Sequence, residues 1–186
     1  MLSRRQIIAG SLATLAALPT THALAKKKFV LPRKFKPRRV NYRNDLKPGT
    51  IVVDPANHFL YFIENNRKAR RYGVGVGRAG LAFKGSAIIK RKAEWPRWTP
   101  TQNMIRREPK KYTKYAGGLA GGINNPLGAR ALYLYKNGRD THFRIHGTNQ
   151  PSSIGQSVSS GCIRMINAHV EDLYNRVPLG ARVIVI

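Results

Sequence analysis

The sequence predicts a mainly β domain with one principal α-helix. From Gly49 onward, short β-rich runs alternate with turn residues, a pattern typical of a β-rich domain. Asn137-Gly138 separates two such runs and is a strong signal for a tight β-hairpin. Only residues 168–177 stand out for apolar side chains at helical spacing. Together these observations predict a single domain of strands over residues 49–186.

The strands follow one another in a clear order. Residues 50–65 hold two β-rich runs around a Pro-Ala-Asn turn, and a third run follows the turn at Asn65 and Asn66. The remaining predicted strands are residues 86–92, the hairpin of residues 131–147, and the closing run of residues 181–186.

The helix is predicted to begin at Asn167, a residue type that caps helix N-termini with its side chain. Pro178 and Gly180 end it. Its apolar face consists of Val170, Leu173, Tyr174 and Val177. Residues 92–130 form a long, glycine-rich insertion that carries both tryptophans, Trp95 and Trp98. A loop of that length is usually functional, so we expect it to act as a lid.

Residues 1–25 have the composition of a secretion signal. Two arginines precede a mostly apolar run, residues 7–18, and a small-x-small cleavage site ends at Ala25. The run is too short to cross the roughly 30 Å hydrocarbon core of a membrane as a helix. The sequence therefore predicts an exported protein whose mature chain begins at Lys26. The adjacent arginines leave two routes open, the twin-arginine and the general secretory pathway.

The chain is strongly basic, with 34 lysines and arginines against 8 acidic residues and a net charge of +26. Residues 26–44 hold nine of the basic residues, no acid, and prolines at positions 32 and 37. This composition predicts that residues 26–48 form a flexible basic arm that takes no part in chemistry. For an exported chain the polyanions within reach belong to the cell envelope and not to nucleic acid. The alternative interpretation is that the charge serves solubility alone.

Cys162 is the only cysteine in the chain. Exported proteins usually pair their cysteines in disulfides, which a single cysteine cannot do internally. Cys162 is either a small buried core residue or a nucleophile. Its neighbours Ser159, Ser160 and Gly161 form a loop-like stretch, which favours the nucleophile.

Two other motifs would suit a dinucleotide site and a zinc site, but neither has the spacing or the context that such a site needs. Gly75, Gly77 and Gly80 spell G-x-G-x-x-G, but a dinucleotide site also needs a helix directly after the glycines, and a β-branched run follows instead. His142, His146 and Cys162 are potential zinc ligands. On a strand the two histidines would lie about 13 Å apart, too far to share a metal ion. The sequence therefore predicts no metal and no cofactor.

A cysteine nucleophile needs a base, oxyanion donors and an oriented histidine. His146 ends a predicted strand and precedes Cys162 by sixteen positions. Gly161 permits a turn that aims backbone N–H groups at a substrate carbonyl. Arg164 shares a face with Cys162 if the backbone there is extended, and its fork suits a carboxylate.

These segments, RIHGTN (144–149) and SSGCIR (159–164), resemble the active-site signature of the L,D-transpeptidase (YkuD-type) catalytic domain. The usual form of that signature is His-Gly-Thr, a spacer, and Ser-His-Gly-Cys followed by an apolar residue and Arg or Asn. Segments YGVGVGRAG, EWPRWTP and NPLGARALYL are similar as well, so the resemblance covers about residues 49–186. Ser160 departs from the pattern, because many members carry histidine there.

The resemblance implies a β-sandwich-like fold with a mixed sheet and a cysteine-dependent enzyme. Cys162 would attack a carbonyl of a peptidoglycan stem peptide and release the terminal D-alanine. His146 would be the base, oriented by the carbonyl of Gly147. The N–H groups of Gly161 and Cys162 would hold the oxyanion. Further substrate contacts would come from Arg164, Ser160, Trp95 and Trp98.

The resemblance leaves the acceptor of the acyl group open. An amine acceptor would give a 3→3 cross-link or attach a surface protein to the wall, and water would make the enzyme a hydrolase. A non-catalytic wall-binding module is the more distant alternative. The expected location is the periplasm or the cell wall.

Overall fold

A nine-stranded mixed sheet forms the centre of the computed structural model, which describes residues 29–186. The predicted signal peptide and its cleavage site lie outside the described residues. The strands are β1 Arg38–Asn41, β2 Ile51–Asp54, β3 Phe59–Ile63, β4 Lys68–Gly73, β5 Val76–Gly77, β6 Gly85–Glu94, β7 Arg130–Lys136, β8 Arg139–His146, β9 Ser157–Ser159, β10 Ile163–Arg164 and β11 Arg182–Val185. The helices are α1 Gln102–Arg107, α2 Pro109–Tyr112 and α3 Asn167–Arg176.

The order of strands in the main sheet is β1-β4-β3-β2-β11-β6-β7-β8-β10. Two neighbouring pairs, β2 with β11 and β8 with β10, are parallel, and the other pairs are antiparallel. Strands β5 and β9 form a separate parallel pair. The predicted fold class, a mainly β domain with a mixed sheet and one principal helix, is confirmed.

Helix α3 packs on the sheet through the predicted apolar face, with Val170 and Leu173 fully buried. Lys92 of β6 donates to the carbonyls of Tyr174 and Val177 at 2.6 and 2.8 Å, which satisfies acceptors at the C-terminal end of the helix. The predicted cap is wrong in its details. The helix is preceded by Ile166 without a side-chain cap, and Asn167 bonds elsewhere.

The segment predicted as a flexible arm is partly ordered into the fold. Residues 38–41 form the edge strand β1, paired with β4 from Arg38↔Arg71 to Asn41↔Lys68. Phe35 is 6% exposed and fills the space that Gly73 and Gly155 leave open by having no side chain. The expectation of a flexible arm is wrong for residues 35–41. A charged segment is usually solvated, but here one buried aromatic ring and four residues paired with β4 attach it to the sheet.

The insertion after β6 is a structured lid region, not an irregular loop. Helices α1 and α2 lie within it, and the buried amide of Asn125 donates to the carbonyls of Pro96, Leu119 and Ala120 at 2.9–3.1 Å. These bonds fasten the two ends of the insertion together. Across residues 29–186, no helix is both long enough and apolar enough to traverse a bilayer.

Candidate active site

The parallel pair β8–β10 brings the two predicted catalytic side chains together. His146 ends β8 and lies in register with Arg164 on β10. Cys162 precedes Arg164 by two residues, so in extended backbone the two side chains share a face of the sheet. All three residues line one cavity of about 330 Å³.

Two parts of the molecule enclose this cavity. The floor and one wall come from the ends of β8 and β10 and from the loop that joins them. The other wall comes from the insertion, including α2 and the aromatic cluster of Trp98, Tyr112 and Tyr115. The Trp98 ring lies 6.2 Å from the Tyr112 ring and 5.6 Å from the Tyr115 ring, distances at which aromatic side chains pack favourably.

Cys162 is half-buried beside an irregularity in β8. Its thiol faces the backbone carbonyl of His142, with Sγ 3.8 Å from the oxygen. His142 has a left-handed backbone, φ 61°, at the point where the register of β7 and β8 shifts. Asp140 holds this bulge by accepting from the His142 N–H at 2.8 Å and from both Nη atoms of Arg144 at 2.6 and 2.8 Å.

Burial raises the pKa of the Cys162 thiol above its ordinary value. The backbone N–H of Arg144 and the charges of Arg144 and Arg164 oppose this increase. The thiol of the resting molecule is therefore protonated at neutral pH, and the cations beside it favour the thiolate once the proton leaves.

His146 is buried, 4% exposed, and its Nδ1 lies 2.6 Å from the carbonyl oxygen of Gly147. A carbonyl only accepts hydrogen bonds, so Nδ1 carries the proton and Nε2 carries the lone pair of the neutral ring. Burial first, and then the charge of Arg164, lower the pKa of His146 to about 4. The imidazole is therefore neutral at pH 7.

Ser159 spans the turn that presents the nucleophile. Its hydroxyl donates to the Cys162 carbonyl at 2.6 Å and accepts from the Gly161 N–H at 3.1 Å. The Gly161 N–H, one of the two expected oxyanion donors, is thus occupied in the substrate-free molecule. Within residues 29–186 the Cys162 N–H donates no hydrogen bond to another backbone group.

The G-x-G-x-x-G motif has a structural role next to this turn. The Gly75 N–H and C=O bond to the backbone of Arg164 at 2.9 and 2.7 Å. A Cβ on Gly77 would lie 2.8 Å from the Cα of Gly161. The glycines therefore allow two backbones to approach closely, and the chain enters a turn and then β6 where a dinucleotide site would need a helix.

Arg164 is half-buried, and its Nη1 donates to the side chain of Gln150 at 3.2 Å. No acidic side chain among residues 29–186 forms an ion pair with it. Burial lowers its pKa. A half-buried guanidinium without an acidic partner can receive an anionic group of a ligand.

The remaining predicted contacts divide into two groups. Ser160 and Trp98 line the cavity. Trp95 does not: its backbone N–H donates to the Ala129 carbonyl and continues the β6–β7 ladder, and its side chain is 44% exposed. Its expected substrate contact stays a prediction. For zinc, no group of three or more His, Cys, Asp and Glu residues in the described part of the chain is placed to hold a metal ion.

Sequence reasoning missed Ser159, Asp140 and Asn167. Asn167 Oδ1 accepts from the N–H groups of Ala129 and Thr148 at 3.2 and 3.0 Å and packs so tightly on Gly147 that a side chain there would collide with it. Polar residues of this kind look like ordinary turn and cap residues in a single sequence. Only Ser159 carried a signal, its place in the SSGC segment.

A family model described as the L,D-transpeptidase catalytic domain (YkuD) matches residues 48–185. This chain belongs to the L,D-transpeptidase family. The match covers the whole sheet from β2 onward and includes His146 and Cys162. It leaves out β1 and the basic residues that precede it.

Curated relatives of the chain are also L,D-transpeptidases by name. A probable L,D-transpeptidase ErfK/SrfK from Escherichia coli is 32% identical over 152 residues, which are 81% of this chain and 47% of the relative. A putative L,D-transpeptidase YkuD from Bacillus licheniformis is 53% identical over 139 residues, 75% of this chain and 66% of the relative. The chain spans about half the length of the E. coli relative.

Solved structures show the same L,D-transpeptidase fold. A cysteine-to-serine mutant of the Enterococcus faecium L,D-transpeptidase aligns with a TM-score of 0.56 at 16% identity, over 76% of this chain and 50% of that one. A Brucella melitensis protein described as a probable carnitine operon oxidoreductase aligns with a TM-score of 0.58 at 52% identity, over 84% and 96%.

Proposed function

We propose that this chain is a cysteine-dependent L,D-transpeptidase that acts on peptidoglycan stem peptides outside the cytoplasm. One observation carries the proposal. His146 and Cys162, sixteen positions apart in sequence, meet in one cavity, where the His146 Nδ1 proton is fixed by Gly147 and Nε2 is left as a base. This arrangement supplies a nucleophile, a base and an orienting acceptor.

In the first step the Cys162 sulfur attacks the substrate carbonyl carbon, and His146 Nε2 takes the thiol proton. The Cys162 N–H donates to the oxyanion, and the Gly161 N–H joins it by leaving the Ser159 hydroxyl. The tetrahedral intermediate then breaks its C–N bond. His146 returns the proton to the departing amine of D-alanine, which leaves a thioester on Cys162.

In the second step an amine attacks the thioester carbonyl while His146 removes the proton of the amine. The C–S bond then breaks as the new amide forms, and His146 returns the proton to the Cys162 sulfur. A stem peptide as acceptor gives a 3→3 cross-link, and a surface protein gives a protein–wall attachment. Water as acceptor makes the same acyl-enzyme a carboxypeptidase. Both outcomes use the same residues, so the choice between them depends on what binds second.

Substrate binding itself can activate His146. The charge of Arg164 is one cause of the low pKa of His146. A substrate carboxylate paired with Arg164 cancels part of that charge. His146 becomes a stronger base when the donor peptide is bound, and the resting thiol stays protected from indiscriminate reactions.

The test is Cys162→Ala against the wild-type mature chain, with a stem tetrapeptide as donor and mass spectrometry of the products. We expect the variant to release no D-alanine and Cys162→Ser to retain almost none, because a hydroxyl is far harder to ionise than a thiol. Wild type mixed with a carbapenem should gain the mass of the drug on the peptide that holds Cys162. Transfer by Cys162→Ala would contradict the mechanism.

The Brucella protein is named an oxidoreductase, and the feature of this chain that would suit such an enzyme is the glycine motif at residues 75–80. Gly75 and Gly77 of that motif pack against the turn that holds Cys162. No helix follows them to hold a pyrophosphate. The family model and the His–Cys arrangement support acyl transfer instead.

We also propose that the N-terminal basic residues bind the anionic cell envelope. Ordering of β1 places Arg38 and Arg71 directly opposite each other, and Glu64 offsets the neighbouring pair, Arg39 and Arg70. Arg38 is exposed and has no acidic partner among the described residues. The surface therefore favours an external anion, and its attraction should weaken with salt.

Charge substitution tests this surface better than deletion, because deletion would remove β1. Arg33→Gln with Arg38→Gln should lower retention on isolated envelopes and flatten its salt dependence. Turnover of a soluble tetrapeptide should stay at the wild-type level. Arg182→Gln on β11 is the control for lost charge elsewhere. Equal retention of all three proteins would contradict envelope binding through this surface.

A further inference from the structure

The cavity is lined by cations without matching anions. Its lining includes Lys111, Lys114 and Arg164, and no aspartate or glutamate of the described chain contributes to it. Such a lining raises the local concentration of anions and disfavours cationic ligands. Which of these three cations can bind an anionic ligand depends on the partners that each already has.

Lys111 already has a partner. Its Nζ lies 3.1 Å from Glu108, which also pairs with Arg78 at 3.2 Å. Lys114, one turn further along, forms no ion pair with any residue of the described range 29–186, and its Nζ lies 5.1 Å from the centre of the Tyr115 ring. The free cations of the cavity are therefore Lys114 and Arg164.

These two cations belong to different parts of the enclosure. Arg164 is on β10, two residues after the nucleophile, and Lys114 follows α2 on the insertion. Tyr112 and Tyr115 line the same cavity and make part of its wall aromatic. An elongated ligand with one anionic group near the reacting carbonyl and a second one further away would satisfy both cations.

We propose that Lys114 forms a second carboxylate-binding subsite, so that the cavity selects donor peptides with two free side-chain carboxylates. The inference rests on the proposed function and adds which groups of the donor peptide the cavity recognises. One carboxylate pairs with Arg164 and the other with Lys114. Donors with a carboxamide in place of either carboxylate lose a charge-assisted hydrogen bond and leave a cation unpaired.

The two losses should differ in size because the two cations differ in exposure. Arg164 is half-buried, so water replaces a missing carboxylate poorly. Lys114 is exposed, so water replaces most of what its carboxylate provided. We expect amidation at the Lys114 subsite to lower kcat/KM about 3- to 10-fold, mainly through KM, and amidation at the Arg164 subsite to lower it more.

The experiment compares three synthetic tetrapeptide donors: one with both side-chain carboxylates free, and two in which one or the other is amidated. Each donor is assayed with wild type, Lys114→Gln and Lys110→Gln. Lys110 is the matched control, because it lies on α2 and is exposed but does not line the cavity. The expected result is that Lys114→Gln removes the disadvantage of one amidated donor only, whereas Lys110→Gln removes neither.

Two results would overturn the subsite: wild type that uses all three donors equally, or Lys114→Gln that slows all three by the same factor. Binding to Cys162→Ala, followed by the fluorescence of Trp98 in the cavity, provides a second measurement that needs no turnover. If wild type turns over no donor, the proposed function fails. The ranking of the three donors in binding, with and without Lys114→Gln, then still decides the subsite.

Discussion

At the scale of single residues, the resting catalytic pair is uncharged. Burial keeps His146 neutral and Cys162 protonated, and the cations near both groups act in opposite directions on them: Arg164 disfavours an imidazolium and favours a thiolate. We therefore expect a neutral pair in the resting site and not a preformed thiolate–imidazolium pair. At neutral pH we expect the proton to leave the thiol when a substrate is in place.

This resting state predicts how Cys162 reacts without substrate. Alkylation by iodoacetamide should be slow at pH 7 and rise with pH beyond the ordinary range of a free thiol, since burial raises the pKa of Cys162. Arg164→Gln should move the profile to still higher pH, because the guanidinium charge lowers the thiol pKa. Arg182→Gln on a distant strand is the control. A rate that is already at its plateau below pH 7 would indicate a preformed ion pair.

Cys162 and His146 could be predicted as site residues from the sequence, whereas the roles of Asp140 and Asn167 around them could not. A lone cysteine in a chain that is predicted to be exported, and a histidine at a strand end, indicate a site by their chemistry alone. Asn167 acts through hydrogen bonds to backbone groups that are distant in sequence, and Ser159 acts through bonds to Gly161 and Cys162 in its own turn. A single sequence contains no information on which distant backbone groups will be adjacent.

At the scale of elements, β8 shows where an ideal strand misleads. Residues four apart on a strand should lie about 13 Å apart, yet Asp140 and Arg144 touch. The bulge at His142 brings them together. The predicted position of the strand was confirmed, but its bulge, which presents a carbonyl to Cys162, follows from no local propensity.

The Asp140–Arg144 pair should therefore matter for turnover as well as for stability. Asp140→Asn leaves the half-buried Arg144 without its ion pair and loosens the bulge, so we expect a loss of about 1–3 kcal/mol in the free energy of unfolding and at least a tenfold lower kcat. Asp172→Asn breaks the similar i,i+4 pair with Arg176 on α3. That control should lose stability in urea but keep its kcat, and an equal fall of kcat in both variants would contradict the role of the bulge.

The N-terminal segment is attached to the fold by the β1–β4 pairing and by one buried ring, Phe35. Phe35→Ala removes a ring packed against Phe59, Gly73 and Gly155, and should cost about 3–5 kcal/mol in urea unfolding. Phe29→Ala, at a ring that is 39% exposed, should cost less than about 1 kcal/mol. Equal urea midpoints for the two variants would show that residues 29–41 do not contribute to the stability of the fold.

At the scale of the whole molecule, stability should depend on pH through His146. Its pKa is about 4 in the folded chain and 6.5 in the unfolded chain. Between these values the unfolded chain binds a proton that the folded chain does not, so stability is complete above pH 6.5 and falls as the pH drops towards 4. The loss is at most about 3 kcal/mol.

A comparison of variants isolates this contribution from those of the other titrating groups. His146→Gln should unfold with a flatter pH dependence between pH 4 and 6.5 than wild type in urea titrations. His142→Asn removes an exposed histidine at a left-handed position that asparagine tolerates, and it should keep the wild-type slope. A wild-type slope in His146→Gln would show that the buried imidazole is not the source.

The net charge of +26 follows directly from the sequence, but the place of the basic N-terminal residues in the fold does not. Composition alone identified a strongly basic N-terminal region and a β-rich domain after it. The pairing of β1 with β4 could not be read from composition, because four extended residues rich in arginine look like a solvated tail. Its strand character comes from a partner about thirty residues away, so the information is tertiary.

The position of β11 has a consequence for how the chain acquires its structure. Residues 182–185 are the last strand of the sequence, yet they lie in the middle of the sheet, between β2 and β6. The strands on either side, β1-β4-β3-β2 and β6-β7-β8-β10, are therefore joined into one sheet only through β11. Because β2 and β11 are more than a hundred residues apart in sequence, we expect this pairing to form late in folding.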